Sequence, residues 1–193
     1  MLLTKRLPIL LTLANLIIAQ TPPGFTPAVS NHLQVIYSNG EVNPGVTEPG
    51  EVVASAPTLG ASGAAADALY FVLMLDLSVN LPGSTSNTTL LHWALADLQL
   101  SNNKLLSQRP QDAPYFPPGP PAAQTHTYVF EVYRQPKTLT IPDEYVAFFS
   151  NITTDVTNRI GFNATKFAAA TGLENPVAAN YFLVRTPPSC YLE

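Results

Sequence analysis

Cysteine is nearly absent. The one thiol among 193 residues is Cys190. No intrachain disulfide can form, and neither a Cys-x-x-Cys redox pair nor a cysteine-based zinc cluster is available. Charge is sparse as well: Asp, Glu, Lys and Arg make up 11% of the chain, with 9 basic against 13 acidic residues. That balance lacks the electrostatic footprint of a nucleic-acid-binding protein and the polybasic patch of an anionic-membrane binder. The familiar catalytic signatures are missing too. The chain has no G-x-S-x-G elbow, P-loop, G-x-G-x-x-G turn or H-E-x-x-H helix. Long apolar runs are lacking beyond residue 19, so nothing there predicts a membrane span.

The exception is the start. Lys5 and Arg6 precede an apolar stretch from Leu7 to Ala19 that is broken by Pro8 and Asn15. A basic head, a short apolar core and a small residue predict a secretory signal peptide over residues 1–19, cut near Ala19/Gln20. Its removal takes the formal charge from −4 to −6 by deleting Lys5 and Arg6. Residues 20–30 are expected to form an extended lead-in, 31–186 a single domain with a sizeable core, and 187–193 a tail that carries Cys190. Three sequons, at Asn87, Asn151 and Asn163, are surface glycan sites if the chain is secreted by a eukaryote.

What is plentiful is strand pattern. Leu33, Val35 and Tyr37 alternate, and Ser38-Asn39-Gly40 follows as a turn. Glu51-Val52-Val53 reads as a short strand stopped by Pro57, and Gly60 to Ala66 as a small-residue loop. Leu69 to Leu77 is a continuous apolar run, predicted as an inner strand covered on both faces. Leu90 to Leu98 is the next strand. From Ser101 to Pro121 no periodicity shows and prolines abound, the mark of a loop that serves a site. Thr127 to Tyr133 alternates, with Tyr128, Phe130 and Val132 on one side and Val129, Glu131 and Tyr133 on the other. Leu139 to Ile141 suggests a short extended piece, and Asp143-Glu144 the acidic first turn of a short helix. A helix is predicted over Ile160–Gly172, with Asn163 as N-cap, Gly172 past its end and Phe162, Phe167 and Ala170 facing the core. Val177 to Val184 closes the chain as a strand. The sum is a mainly β domain: a central antiparallel sheet packed on a smaller sheet, with one or two peripheral helices toward the C-terminus.

The reactive residue types gather in one constellation. Asp76 ends the central apolar strand, and His92 and His126 each stand at the mouth of another. Two imidazoles and a carboxylate can hold a metal. They can also hold an anion, with Asp76 orienting an imidazole. In the plain alternative each histidine caps its strand and bonds to backbone.

Five ordered pieces carry a resemblance. They are the strand ending in Asp76, Leu91-His92-Trp93, Pro118-Gly119-Pro120-Pro121, the run His126 to Gln135, and Phe167 through Leu173 to Phe182. The set resembles the phosphatidylethanolamine-binding protein family, also called the Raf kinase inhibitor protein or flowering-locus-T-like fold, over roughly Leu33 to Val184. The resemblance implies a pocket at one end of the sheet for phosphate, phosphorylethanolamine or acetate, containing Asp76, His92, Gly119, His126 and Tyr128 with Pro118 as a wall. Two positions depart from the family's pattern. Ser78 stands where it has a second Asp, and Thr127 where it has an Arg. If those two family residues interact, losing both strands no charge, while losing the Arg removes a strong anion donor.

The resulting expectation is a secreted, non-enzymatic binding protein for a small anion or phospholipid headgroup, without metal or cofactor. An extracellular protease is the further partner the family suggests. The alternatives are a surface glycoprotein with a degenerate pocket, and a hydrolase that uses Asp76, His92 and His126 with Ser78 as nucleophile.

Overall fold

A computed structural model of the chain describes residues 19–61, 64–107, 109–136, 139–149 and 156–189. The signal-peptide segment up to residue 18, Asn151 and Cys190 lie outside them. Nine strands form one sheet: β1 (Gln34–Tyr37), β2 (Gly40–Glu41), β3 (Thr47–Glu48), β4 (Thr58–Gly60), β5 (Leu69–Asn80), β6 (Asn87–Ser101), β7 (Lys104–Ser107), β8 (Thr125–Gln135) and β9 (Ala178–Arg185). Their spatial order is β2-β1-β4-β7-β6-β5-β8-β9-β3. All neighbours are antiparallel except β3 on β9.

β5 runs through the middle, and both its faces are buried. Tyr70, Val72 and Met74 enter one core with Val35, Phe130 and Phe182. Phe71, Leu73 and Leu75 enter a second core with Val129, Phe162 and Phe167. A strand covered on both sides gains nothing from polar alternation, which is why its sequence is a continuous apolar run. β8 divides as its alternation predicts, with Tyr128, Phe130 and Val132 inward and Val129 and Tyr133 outward.

The expected smaller sheet is not a separate layer. β1, β2 and β4 are the edge of the same sheet, joined to it by the single pair Gly60↔Lys104. A Cβ on Gly60 would lie 2.8 Å from the Asn103 carbonyl oxygen and 2.7 Å from Gln34 Oε1. Glycine therefore permits the close approach that makes the sheet continuous. The sheet curls into a half-barrel, and its far edge returns to β9. Leu33 N–H donates to the Ala179 carbonyl at 2.8 Å, and Asn180 Nδ2 donates to the carbonyls of Leu33 and Val42 at 2.9 and 3.0 Å. The first core fills the inside of the curl.

The second core lies on the outer face under the helix α1 (Ala164–Thr171) and the 3-10 helix Asp143–Phe149. Asn163 caps α1 by accepting from Lys166 N–H at 2.9 Å, and Gly172 ends it at φ 72°. The helix starts later than its sequence suggests, so the inward positions are Ala164, Phe167 and Ala168 at the i, i+3, i+4 spacing. Ala170, expected inside, is exposed. Three further expectations are corrected. Val52–Ala54 is a 3-10 turn rather than a strand, because Val52 and Val53 N–H both return to the Pro49 carbonyl. The aperiodic stretch after Ser101 holds β7, reached by a hairpin with Asn102 and Asn103 at φ 50° and 61°; asparagine tolerates that left-handed backbone. The lead-in is docked rather than extended: Gln20 N–H donates to the Val29 carbonyl, and Phe25 packs on the outer core.

Candidate functional site

Asp76, Tyr128 and His126 share the inner face near one end of the β5–β8 pair. Asp76 is in register with Tyr128, and His126 lies two residues back along β8. His92 reaches the same place through an irregularity in β6. Met74 pairs with Trp93 and Leu75 with Leu91, so His92 is an extra residue, opposed by none on β5. A bulge of this kind re-aims one side chain without disturbing the strand on either side. Here it turns His92 against Tyr128, ring centroids 5.1 Å apart and edge to face, and against Phe116 at 5.3 Å.

Asp76 and His126 form a buried pair. His126 Nδ1 lies 2.6 Å from Asp76 Oδ2, and Asp76 Oδ1 accepts from Ser78 N–H at 2.7 Å. The other imidazole nitrogen, His126 Nε2, meets the side-chain amide oxygen of Gln124 at 3.0 Å. Ser78 Oγ accepts from Thr127 N–H at 2.9 Å, so the two positions that depart from the family pattern are bonded neighbours.

His92 is arranged differently. Its Nδ1 donates to the Phe116 carbonyl at 2.7 Å, while Phe116 N–H donates back to the His92 carbonyl at 2.8 Å. This pair of bonds pins the proline-rich loop on β6. Arg159 fastens the same loop from behind, with Nη1 donating to the Pro114 carbonyl at 2.7 Å and to the His92 carbonyl at 3.4 Å. Burial lowers His92 to about 4, against a smaller upward pull from the Phe116 carbonyl and Asp76. The ring is therefore neutral near pH 7, with its proton on Nδ1. Its Nε2 is a buried lone pair with no hydrogen-bond partner. Burial, and then the Asp76 carboxylate, push the Tyr128 phenol far above its ordinary value, against a small opposing effect of the Gly119 N–H. Tyr128 thus stays protonated.

Pro118 is buried; Gly119, whose N–H lies toward Tyr128, is exposed, with nothing within 4 Å of where its Cβ would be. Asp76, His92, His126 and Tyr128 are 3%, 2%, 6% and 1% exposed, so the cluster is closed to solvent. The exposed Gln124 side chain sits on its His126 corner. A groove of about 540 Å³ lies instead toward the opposite end of β5, lined by His32, Tyr70 and Arg134 among others. Among the described residues no group of three His, Cys, Asp or Glu side chains is placed to hold a metal ion. Among the described residues no base is bonded to Ser78: His126 meets Asp76 and Gln124, His92 Nδ1 is on Phe116, and Ser78 Oγ accepts from Thr127 N–H. The hydrolase arrangement is not formed.

Sequence reasoning missed Gln124, Phe116 and Arg159. Gln124 stands two residues before His126, a spacing that favours one face of an extended chain. Phe116 and Arg159 reach His92 from 24 and 67 residues away, with no local signal. Of the sequons described, Asn163 is exposed with its Oδ1 occupied as the helix cap, and Asn87 is exposed at the start of β6.

A family model described as phosphatidylethanolamine-binding protein matches residues 32–182. The "Phomoidride biosynthesis cluster protein N" of Talaromyces stipitatus is 31% identical over 185 residues, covering 87% of this chain and 91% of that protein. The "26 kDa secreted antigen" of Toxocara canis is 31% identical over 160 residues, 81% of this chain and 57% of the antigen. Among solved structures, the carboxypeptidase Y inhibitor complexed with its cognate proteinase superposes with a TM-score of 0.61 at 25% identity, covering 82% of this chain and 85% of the inhibitor.

Proposed function

The chain belongs to the phosphatidylethanolamine-binding protein family, and from that premise we propose that it is a secreted, non-enzymatic binding protein whose cluster at Asp76, His92, Pro118, Gly119, His126 and Tyr128 receives a small anion or phospholipid headgroup. The observation that carries the reading is the unpartnered His92 Nε2, buried beside an oriented His126–Asp76 pair. Native interiors satisfy almost all of their polar atoms, so an orphan beside an ionic pair marks a place where a ligand supplies the missing bond. Asp76 fixes the His126 imidazole, Tyr128 stays a hydroxyl donor, and Gly119 leaves room for close approach.

Secretion is supported by the basic-then-apolar start and by likeness to a protein named as a secreted antigen. In the described residues no helix is long and apolar enough to cross a membrane. Glycans at Asn87, Asn151 and Asn163 belong to the same secreted reading. A second reading, favoured by the likeness to the carboxypeptidase Y inhibitor, is that the protein acts on an extracellular protease.

The test is a titration of the purified protein with phosphorylethanolamine, with acetate in a parallel arm and His92→Ala as the control. Saturable binding weakened on the order of tenfold in the variant is the expected result, the cost of leaving one polar partner unmatched. Equal binding by both proteins would remove the cluster as the site.

A further inference from the structure

The polarity of the site says more than its residue types. Nδ1 of His92 faces a carbonyl oxygen, which has no proton to give, so that nitrogen must carry the hydrogen. The buried, unpartnered Nε2 is then an acceptor, and a bare anion has nothing to offer it. The titratable and charged groups that face His92 are Asp76 from β5, His126 and Tyr128 from β8, and Arg159 from the turn before α1. Asp76 repels an incoming anion. Arg159 directs its Nη1 to the Pro114 and His92 carbonyls. Thr127 supplies no charge.

The His126 side has the opposite polarity. Its Nδ1 is held by Asp76 Oδ2, and among the described residues its Nε2 bonds only to the Gln124 side-chain amide. The Gln124 backbone is anchored independently: its N–H donates to the Pro121 carbonyl, and its carbonyl accepts from Thr186 N–H. The side chain of this exposed residue can therefore leave without unfolding the strand mouth.

We propose that the cluster takes its ligand as an oxyacid that keeps one proton, a hydrogen phosphate or a protonated carboxyl group, whose O–H donates to His92 Nε2 while another of its oxygens replaces Gln124 at His126 Nε2. The proposal rests on the binding reading above and deepens it. No bond between heavy atoms is made or broken; one proton accompanies the ligand into the site. That proton resides on the ligand oxygen or, after transfer along the hydrogen bond, on His92 Nε2, and the count is the same. Acidic ligands are thereby selected over permanent anions such as sulfate. The embedded proton replaces the cation that an arginine at position 127 would have supplied.

Calorimetric titration with phosphorylethanolamine, inorganic phosphate and acetate, in buffers of different ionisation enthalpy, counts the protons. Phosphorylethanolamine against inorganic phosphate separates a headgroup from free phosphate, and acetate reports the carboxyl form. At pH 8 phosphorylethanolamine and acetate have lost the donating proton, so uptake close to one proton per site is expected for both, with affinity falling about tenfold for each further pH unit, whereas inorganic phosphate still carries an O–H and should bind with little uptake. Binding of phosphorylethanolamine or acetate without proton uptake, or with pH-independent affinity, overturns the proposal and leaves the binding function standing. Failure of all three probes to bind from pH 5 to 8 overturns both. In Gln124→Ala the proton count is expected to stay the same while affinity rises several-fold; unchanged affinity overturns the part assigned to His126. Circular dichroism on each variant separates loss of binding from loss of fold.

Discussion

Strand β8 buries an ionisable group on each of its faces, and the two are provided for differently. On the inner face His126 meets Asp76 at 2.6 Å, and each partner has a further bond. On the outer face Glu131 is 1% exposed, beneath the helical layer, with a single bond from the Tyr133 hydroxyl at 3.0 Å and its Oε1 without a partner. Burial raises the Glu131 carboxyl to about 7. On the inner face each side chain answers the other. The outer carboxyl has no such counterpart and holds its proton to near neutrality. An orphan atom therefore has two meanings in one sheet, at His92 on β6 and at Glu131 on β8. Beside an ion pair under a displaceable side chain it marks a site; inside an apolar layer it is a cost to stability.

The largest expected effect breaks the inner half of this contrast. Asp76→Ala leaves His126 buried without its carboxylate and should lower stability by about 3–5 kcal/mol, the range for removing one partner of a buried pair. Urea unfolding measures it, and a loss below about 1 kcal/mol would place the pair effectively in water.

Glu131 tests the outer half through pH. Its folded pKa is raised from 4.5 to about 7, so the stability it permits is fully present below about 4.5 and is lost as pH rises through 7. A shift of this size corresponds to about 3 kcal/mol between pH 4.5 and 8. Glu131→Gln should flatten that stretch of the profile and raise the melting temperature at pH 8. A mutant profile parallel to the wild type between pH 5 and 8 would show that Glu131 is ionised throughout.

A third change sharpens the contrast by adding an unpaired charge at the mouth of β8, between His126 and Tyr128. Thr127→Arg puts a cation next to Ser78, which binds Thr127 N–H. The single substitution should cost about 1–2 kcal/mol, and Ser78→Asp added to it should restore the loss, with a coupling within the ~0.5–3 kcal/mol usual for contacting residues. Additive effects in the double-mutant cycle would separate the two positions. The smallest effect concerns the layer over Glu131. Asn163→Ala removes the cap of α1 and should cost about 1 kcal/mol without changing the affinity of the inner site.

The sequence made the central elements legible where one strong pattern acted alone. β5 is an unbroken apolar run because both its faces are covered, and β8 alternates between two cores. Asn163 and Gly172 mark the ends of α1 by local chemistry. What stayed hidden depends on distant partners. The continuity of the sheet turns on Gly60 meeting β7, a close approach that no neighbouring residue announces. The placement of His92 depends on a one-residue bulge, which leaves no trace in composition. The polarity of His92 is hidden in the same way. The His92 proton is set by the Phe116 carbonyl, 24 residues away, and the free nitrogen accepts.

The most direct measurement follows the His92 imidazole by nitrogen-detected NMR, with and without saturating phosphorylethanolamine. The account predicts a neutral ring with its proton on Nδ1, titrating near pH 4 in the free protein, and either a shifted titration or a new hydrogen-bond signal at Nε2 when ligand is bound. A free-protein ring that is already charged at pH 7, or one whose Nε2 signal ignores the ligand, would contradict it.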